Sequence, residues 1–213
     1  MKRIMGTSNE GSGDHEREAG PDPSEQGLVA AARNGSMEAF STLARRYQER
    51  IYHTILRFTR DPEDAGDLTQ ETFMAAYISL RSFRQGAGFY TWIYRIAVNS
   101  TLNFLKKKGR EKNKTEFRKD VDSMSVPGGP PDSPEGESMR NELGRKLGEA
   151  IDGLPLPFRS SFILVVHEGM SHADAAGVLG CSENTVSWRM HKARKLLQRK
   201  LKPYLDEVRH GVP

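Results

Sequence analysis

The chain has 213 residues, of which 36% are hydrophobic, with a mean hydropathy of −0.65, a formal net charge of +4 and a pI of about 9.2. No apolar run approaches the roughly 20 residues of a membrane span, and the N-terminus lacks the apolar stretch of a secretory signal. The single cysteine, Cys181, excludes an internal disulfide and a Cys-rich zinc site, so one or two small domains in a reducing cytoplasm are expected.

Residues 1–26 are rich in Gly, Ser, Pro and charge and read as a disordered tail. Helical spacing begins at Leu28. Ser36 can cap a helix in which Phe40, Leu43, Tyr47, Ile51, Ile55 and Phe58 recur every three or four residues, ending near Arg60. Asp61-Pro62 reads as an N-cap followed by proline at the first helical position, opening a helix to about Leu80. Residues 82–88 read as a loop. A third helix starts near Phe89 or Tyr90 and runs through Trp92, Ile96 and Phe104 to the basic end Lys106-Lys107-Lys108-Gly109.

Residues 121–138 are Pro/Gly/Ser-rich and acidic, with no Lys or Arg, which predicts a flexible linker. Helical spacing returns at Leu143, Leu147, Ile151 and Leu154. A further helix carries Phe158, Phe162, Val165 and Val166 and ends at Gly169, where a left-handed cap fits. No strand-like alternation or internal repeat is present. The predicted fold class is all-α: two small helical domains, 27–109 and 140–208, joined by a flexible linker over 110–139.

Residues 171–202 have the spacing of a helix-turn-helix. Ala176 supplies the small residue for close helix crossing, Gly180 the tight turn and Val186 the apolar anchor. Ser182 can cap the second helix. Behind it, Arg189, Lys192, Arg194, Lys195, Arg199, Lys200 and Lys202 face a single acid, Glu183, a bias suited to a groove lined by phosphates. Cys181 lies in the turn and reads as a small packing residue.

Two further segments carry chemistry. Asp64, Asp67 and Glu71 are three and four residues apart, on one helical face, in a stretch (61–74) with five acids and no base. Such a face suits a basic protein surface, or it is a solvated helix with acids near its positive end. No further ligand is placed to make it a metal site. The run from Phe83 to Trp92 is aromatic and glycine-containing, beside a basic helix end. Aromatic and basic side chains together hold unstacked bases, and an extruded base needs a small polar pocket. Trp92, Ile96 and Phe104 are equally core candidates, leaving 82–89 as the part free to bind.

The runs DAGDLTQETFMAAY, SFRQGAGFYTWIYRIAVNSTLNFL and LPLPFRSSFILVVHEGMSHADAAGVLGCSENTVSWRMHKARKLL, in this order, resemble an extracytoplasmic-function, sigma-E-like member of the bacterial sigma-70 family. The resemblance spans about Leu28–Leu105 and Leu143–Leu201. It implies a sigma region two that docks on the clamp helices of core RNA polymerase through Asp64, Asp67, Gln70, Glu71 and Phe73. It implies minus-ten DNA contacts by Phe83, Arg84, Gln85, Tyr90, Arg95, Asn99, Lys106 and Lys107. Region four would touch the polymerase flap tip and read the minus-thirty-five element through Ser182, Glu183, Asn184, Thr185, Ser187, Trp188, Arg189, His191, Lys192, Arg194 and Lys195. The linker resembles the segment threaded through the polymerase cleft.

The resemblance implies an anti-sigma partner, of a kind often membrane-anchored. No catalytic residue, cofactor, metal or small-molecule substrate is implied. Ser187, Trp188 and His191 depart from the residues common in relatives, so base preference does not carry over. Ala175 stands where a larger aliphatic residue is usual.

Two other classes remain at this point. A transcriptional regulator would use 28–108 for sensing or dimerisation and bind an operator without polymerase. A recombinase-like enzyme would need a nucleophile with clustered arginines or metal-binding carboxylates, and no such constellation is evident.

Overall fold

A computed structural model of the chain describes residues 23–83, 88–115 and 134–210. The predicted DNA contacts Arg84 and Gln85 lie outside the described residues, as do residues 1–22 of the tail and 116–133 of the linker. The described residues are helical throughout their ordered elements, with no strand among them. The N-terminal half contains α1 (Pro23–Arg33), α2 (Met37–Thr59), α3 (Pro62–Ser79), a 3-10 turn (Leu80–Ser82) and α4 (Phe89–Thr115). The C-terminal half contains α5 (Pro134–Asp152), α6 (Leu156–Phe162) running into a π-helical turn (Ile163–His167), α7 (His172–Leu179) and α8 (Glu183–His210).

Local chemistry sets these boundaries. Ser36 Oγ accepts the Ala39 N–H at 3.2 Å to start α2. Asp61 Oδ1 accepts the N–H groups of Glu63 and Asp64 at 2.9 and 3.2 Å to start α3, with Pro62 in the first turn. Helix α2 stops at Arg60, whose φ of 60° is left-handed and whose N–H reaches the Leu56 carbonyl. In the second half, Gly169 and Gly180 take left-handed φ values of 67° and 64°, and Ser182 Oγ accepts the Thr185 N–H at 3.2 Å.

The periodic residues fill the interior. Leu43, Ile51, Ile55 and Phe58 of α2 meet Leu68 of α3 and Ile93, Tyr94, Ala97 and Val98 of α4 in one buried cluster. Ile163, Leu164, Ala175, Val178, Val186, Met190 and Ala193 are the buried interior of the helix-turn-helix half.

Three boundaries differ from expectation. Helix α1 begins at Pro23, inside the predicted tail, because Glu25 is buried: its carboxylate accepts the Tyr47 hydroxyl and lies 3.6 Å from Arg46. Burial, then Glu25, raise the Tyr47 phenol above its usual pKa. Helices α4 and α5 also extend into the predicted linker, to Thr115 and from Pro134.

The two domains are more than tethered, since α7 packs along α4. At the contact, a Cβ built on Gly177 would meet Thr91 Cγ2 at an ordinary 3.6 Å, so the approach leaves room for a small side chain there. Polar contacts frame it. Thr91 Oγ1 donates to Asp174 at 3.3 Å, Tyr94 Oη to Glu168 at 2.8 Å, and Arg60 Nε to Asp152 at 2.8 Å. Arg159 Nη2 donates to the Phe58 carbonyl at 3.0 Å, at the C-terminal end of α2.

Candidate nucleic-acid interface

The acidic helix α3 presents Asp67, Gln70 and Glu71 to solvent, while Phe73 is half-buried against the core. Asp64 does not stand with them. Its carboxylate is turned to α4, where Lys108 Nζ donates to it at 2.5 Å. That hydrogen bond raises the Lys108 ammonium above its usual pKa, and the same nitrogen lies 5.4 Å from the Phe104 ring centre. Asp64 therefore pins α3 to α4, and Lys108 is spent on that pin, whereas Lys106 and Lys107 remain exposed. Beside the acids, Met74 and Ile78 are exposed one turn apart, and Tyr77 leans edge-on against Phe40 at 5.1 Å. Their i, i+4 spacing on a helix whose other face is already core was the signal available for this apolar margin.

The aromatic segment divides differently from expectation. Phe83 is 4% exposed and packs against Trp92 at 5.0 Å and Phe89 at 6.1 Å. It is part of the core: three rings meeting at the start of α4 bury one another. Arg95 and Asn99 are exposed one turn apart, Lys106 continues that side of α4, and the exposed Lys107 stands beside it. Tyr90 is half-buried, its ring tilted against Tyr94 at 4.5 Å and under the Arg50 guanidinium at 5.2 Å, and its hydroxyl donates to the Glu168 carbonyl at 3.4 Å. The C-terminal half thus covers part of this face.

On α8, Glu183, Asn184, Trp188, His191, Lys192, Arg194 and Lys195 are exposed. Three predicted contacts also have partners within the domain. Thr185 Oγ1 bonds Ser182 Oγ at 2.8 Å, the half-buried Ser187 bonds His172 Nδ1 at 2.8 Å, and Arg189 Nη1 lies 3.7 Å from Cys181 Sγ. Ser182 caps the helix and is itself exposed. Trp188 is 54% exposed: one edge meets Phe158 at 5.7 Å, and Lys192 sits 5.8 Å from its ring centre. Its open face is free to stack on sugar or a thymine methyl. His172 was not anticipated; it is 15 residues from its partner, a separation with no helical signature.

A helical bundle bearing an exposed acidic helix and a basic helix face, joined to a capped helix-turn-helix, is the architecture of a promoter-recognition subunit. The family model "Sigma-70 region 2" matches residues 43–111 and "Sigma-70, region 4" matches residues 144–197. The RNA polymerase sigma-H factor of Pseudomonas aeruginosa is 35% identical over 192 residues, covering 86% of this chain and 97% of that protein. The ECF RNA polymerase sigma-E factor of Haemophilus influenzae is 34% identical over 184 residues, covering 85% and 97%. Among solved structures, CnrH in complex with the cytosolic domain of CnrY aligns with a TM-score of 0.60 at 27% identity, over 84% of this chain and 97% of that one. The Bartonella quintana sigma factor RpoE, solved with the anti-sigma factor NepR, shares the fold at a TM-score of 0.64 and 24% identity, over 78% and 98%. The chain belongs to the sigma-70 family, in its extracytoplasmic-function branch.

Proposed function

We propose that this chain is an alternative sigma factor that binds core RNA polymerase, directs it to specific promoters and promotes strand opening. The separation of two oppositely charged surfaces carries the reading. Asp67, Gln70 and Glu71 form an exposed anionic edge on α3, whereas Arg95, Asn99, Lys106 and Lys107 on α4 and the exposed side chains of α8 form faces suited to nucleic acid. The acids would repel phosphate and so fit a basic protein surface. Trp188, Asn184 and Lys192 on one helix fit a major groove, with cations gripping phosphate and side-chain tips reading base edges. Two promoter contacts held through one polymerase gain from effective concentration, so each domain alone would bind DNA weakly.

The chain acts without catalytic chemistry of its own, in the cytoplasm, and takes an anti-sigma factor as its regulator. Among the described residues no helix is long and apolar enough to cross a membrane, and no group of three His, Cys, Asp or Glu could hold a metal. The test is run-off transcription with core bacterial polymerase on the promoter upstream of this protein's own gene, with core binding assayed on the same samples. Transcripts that require the chain and vanish with Asp67→Arg plus Glu71→Arg are expected. Neither transcript nor core binding, with tight operator binding by the chain alone, would replace this reading with that of an ordinary regulator.

A further inference from the structure

Ser187 sits on the flank of α8, between the buried Val186 and Met190 on one side and the exposed Asn184 and His191 on the other. Within other helices of this chain, the hydroxyls of Thr42, Thr69, Thr101 and Ser160 donate back to the carbonyl four residues earlier, at 2.7–2.9 Å. Ser187 does not. Its Oγ meets His172 Nδ1 at 2.8 Å, across the turn of the helix-turn-helix. His172 opens α7, and Asp174, two residues on, faces the other way, to Thr91 of α4. The imidazole is therefore half-buried on the recognition-helix side of α7, with no hydrogen bond to its Nε2 among the described residues.

A lone serine reads sequence poorly, because its hydroxyl both donates and accepts and so pairs with any base edge. The bond to His172 removes that freedom. In helix-turn-helix docking the first helix crosses the DNA backbone, and an imidazole bonds a phosphate there only through an N–H. The open Nε2 is the nitrogen left for that role. It then carries the proton, Nδ1 is the acceptor, and the Ser187 hydroxyl is the donor. With its proton committed to His172, Ser187 offers the groove only oxygen lone pairs. We propose that His172 is a positioning residue that fixes the hydrogen-bond polarity of Ser187. The pair thereby selects an exocyclic amino group, adenine N6 or cytosine N4, over the carbonyl oxygen of guanine or thymine at one position of the minus-thirty-five strand. This rests on the function proposed above.

Holoenzyme assembled from the full chain and core polymerase is selected on a library in which the minus-thirty-five region of the chain's own promoter is randomised. The selection is run at a pH of about 8, where imidazole is ordinarily neutral. At the one position that Ser187→Ala makes indifferent, wild type prefers A or C over G or T by about fivefold, the scale of one net hydrogen bond. His172→Phe and His172→Leu both fill the space and remove the acceptor. Each levels that preference to within about twofold and leaves the other positions as they were. His172→Asn, whose Oδ1 accepts in place of Nδ1, restores it. Adding Ser187→Ala to His172→Phe changes nothing further at that position. A preference that survives both His172→Phe and His172→Leu would overturn the inference, as would a uniform loss of affinity across the library. So would a wild type favouring G or T at that position, or Ser187→Ala altering no position. Wild-type core binding and run-off separate the two readings. With both present and base choice indifferent to His172, only this inference falls, whereas absence of both sinks the function.

Discussion

Asp152, at the end of α5, is the residue through which the far end of the domain contact can be measured. Its Oδ1 accepts from Nε of Arg60 at 2.8 Å, lies 2.8 Å from Nη2 of the same guanidinium and 4.0 Å from Nη1 of Arg159. Arg159 is the vulnerable partner. Its side chain is 14% exposed and its Nε is buried without an acceptor. Burial pushes its pKa below the usual guanidinium value, while Asp152 pulls it back up. Asp152→Asn keeps the shape and removes the charge. Charge-assisted hydrogen bonds contribute about 1.5–3 kcal/mol, and solvent reaching this carboxylate favours the lower part of that range. A loss of about 2 kcal/mol corresponds to a melting point lower by about 4–8 °C in a chain of this size. Arg60→Gly is the internal control. It removes the same charge pairing but releases the left-handed strain at φ 60°, worth about 1 kcal/mol, so its deficit is about half. Thermal melts followed by far-ultraviolet circular dichroism read both. An Asp152→Asn chain melting within about 1 °C of wild type, or Arg60→Gly melting below it, would refute this account of the latch.

Asp64→Asn, which breaks the pin to Lys108, is expected to lower stability by about 1 kcal/mol and leave core-polymerase binding intact. Asp67→Arg plus Glu71→Arg should do the reverse, and melts beside a pull-down distinguish the pair. Trp188→Ala should cost less than about 1 kcal/mol of stability, since its packing is one edge contact. It should weaken holoenzyme binding to the minus-thirty-five element about tenfold, or about 1.4 kcal/mol, by gel shift. Burial, then the charge of Arg57, hold the His167 imidazole below its usual 6.5. The fold therefore favours neutral His167, so this contribution is complete above pH 6.5 and is lost as pH falls below it. Melts across that range should show the decline, and His167→Asn should flatten it.

The caps and turns were legible because their chemistry is local: Ser36, Asp61-Pro62, Gly169, Gly180 and Ser182 act on groups two to four residues away. The recognition face was legible because one helix sets its own period. What escaped is pairwise and distant. The Asp64–Lys108 pin joins residues 44 apart, and the Glu25–Tyr47 bond joins residues 22 apart. Neither separation has a period to read. The burial of Phe83 escaped because its ring packs onto Trp92, a partner nine residues on that no helical period picks out. The seating of α7 on α4 is framed by the Thr91–Asp174 bond, whose partners are 83 residues apart, again with no period to read.

Helix α8 runs unbroken from Glu183 to His210, 28 residues or about 42 Å at the standard rise. Its first turns carry the exposed reading side chains, and Met190, Ala193 and Leu197 root the same rod in the domain interior. Its start is fixed by the Gly180 conformation and the Ser182 cap, leaving no joint at which the reading edge can bend separately. Base preference should then be close to a sum of independent contributions. Substitutions at Asn184 and Lys195, eleven positions apart on one stiff rod and without a shared partner, should shift promoter choice additively. Ser187 and His172, which share a hydrogen bond, should not.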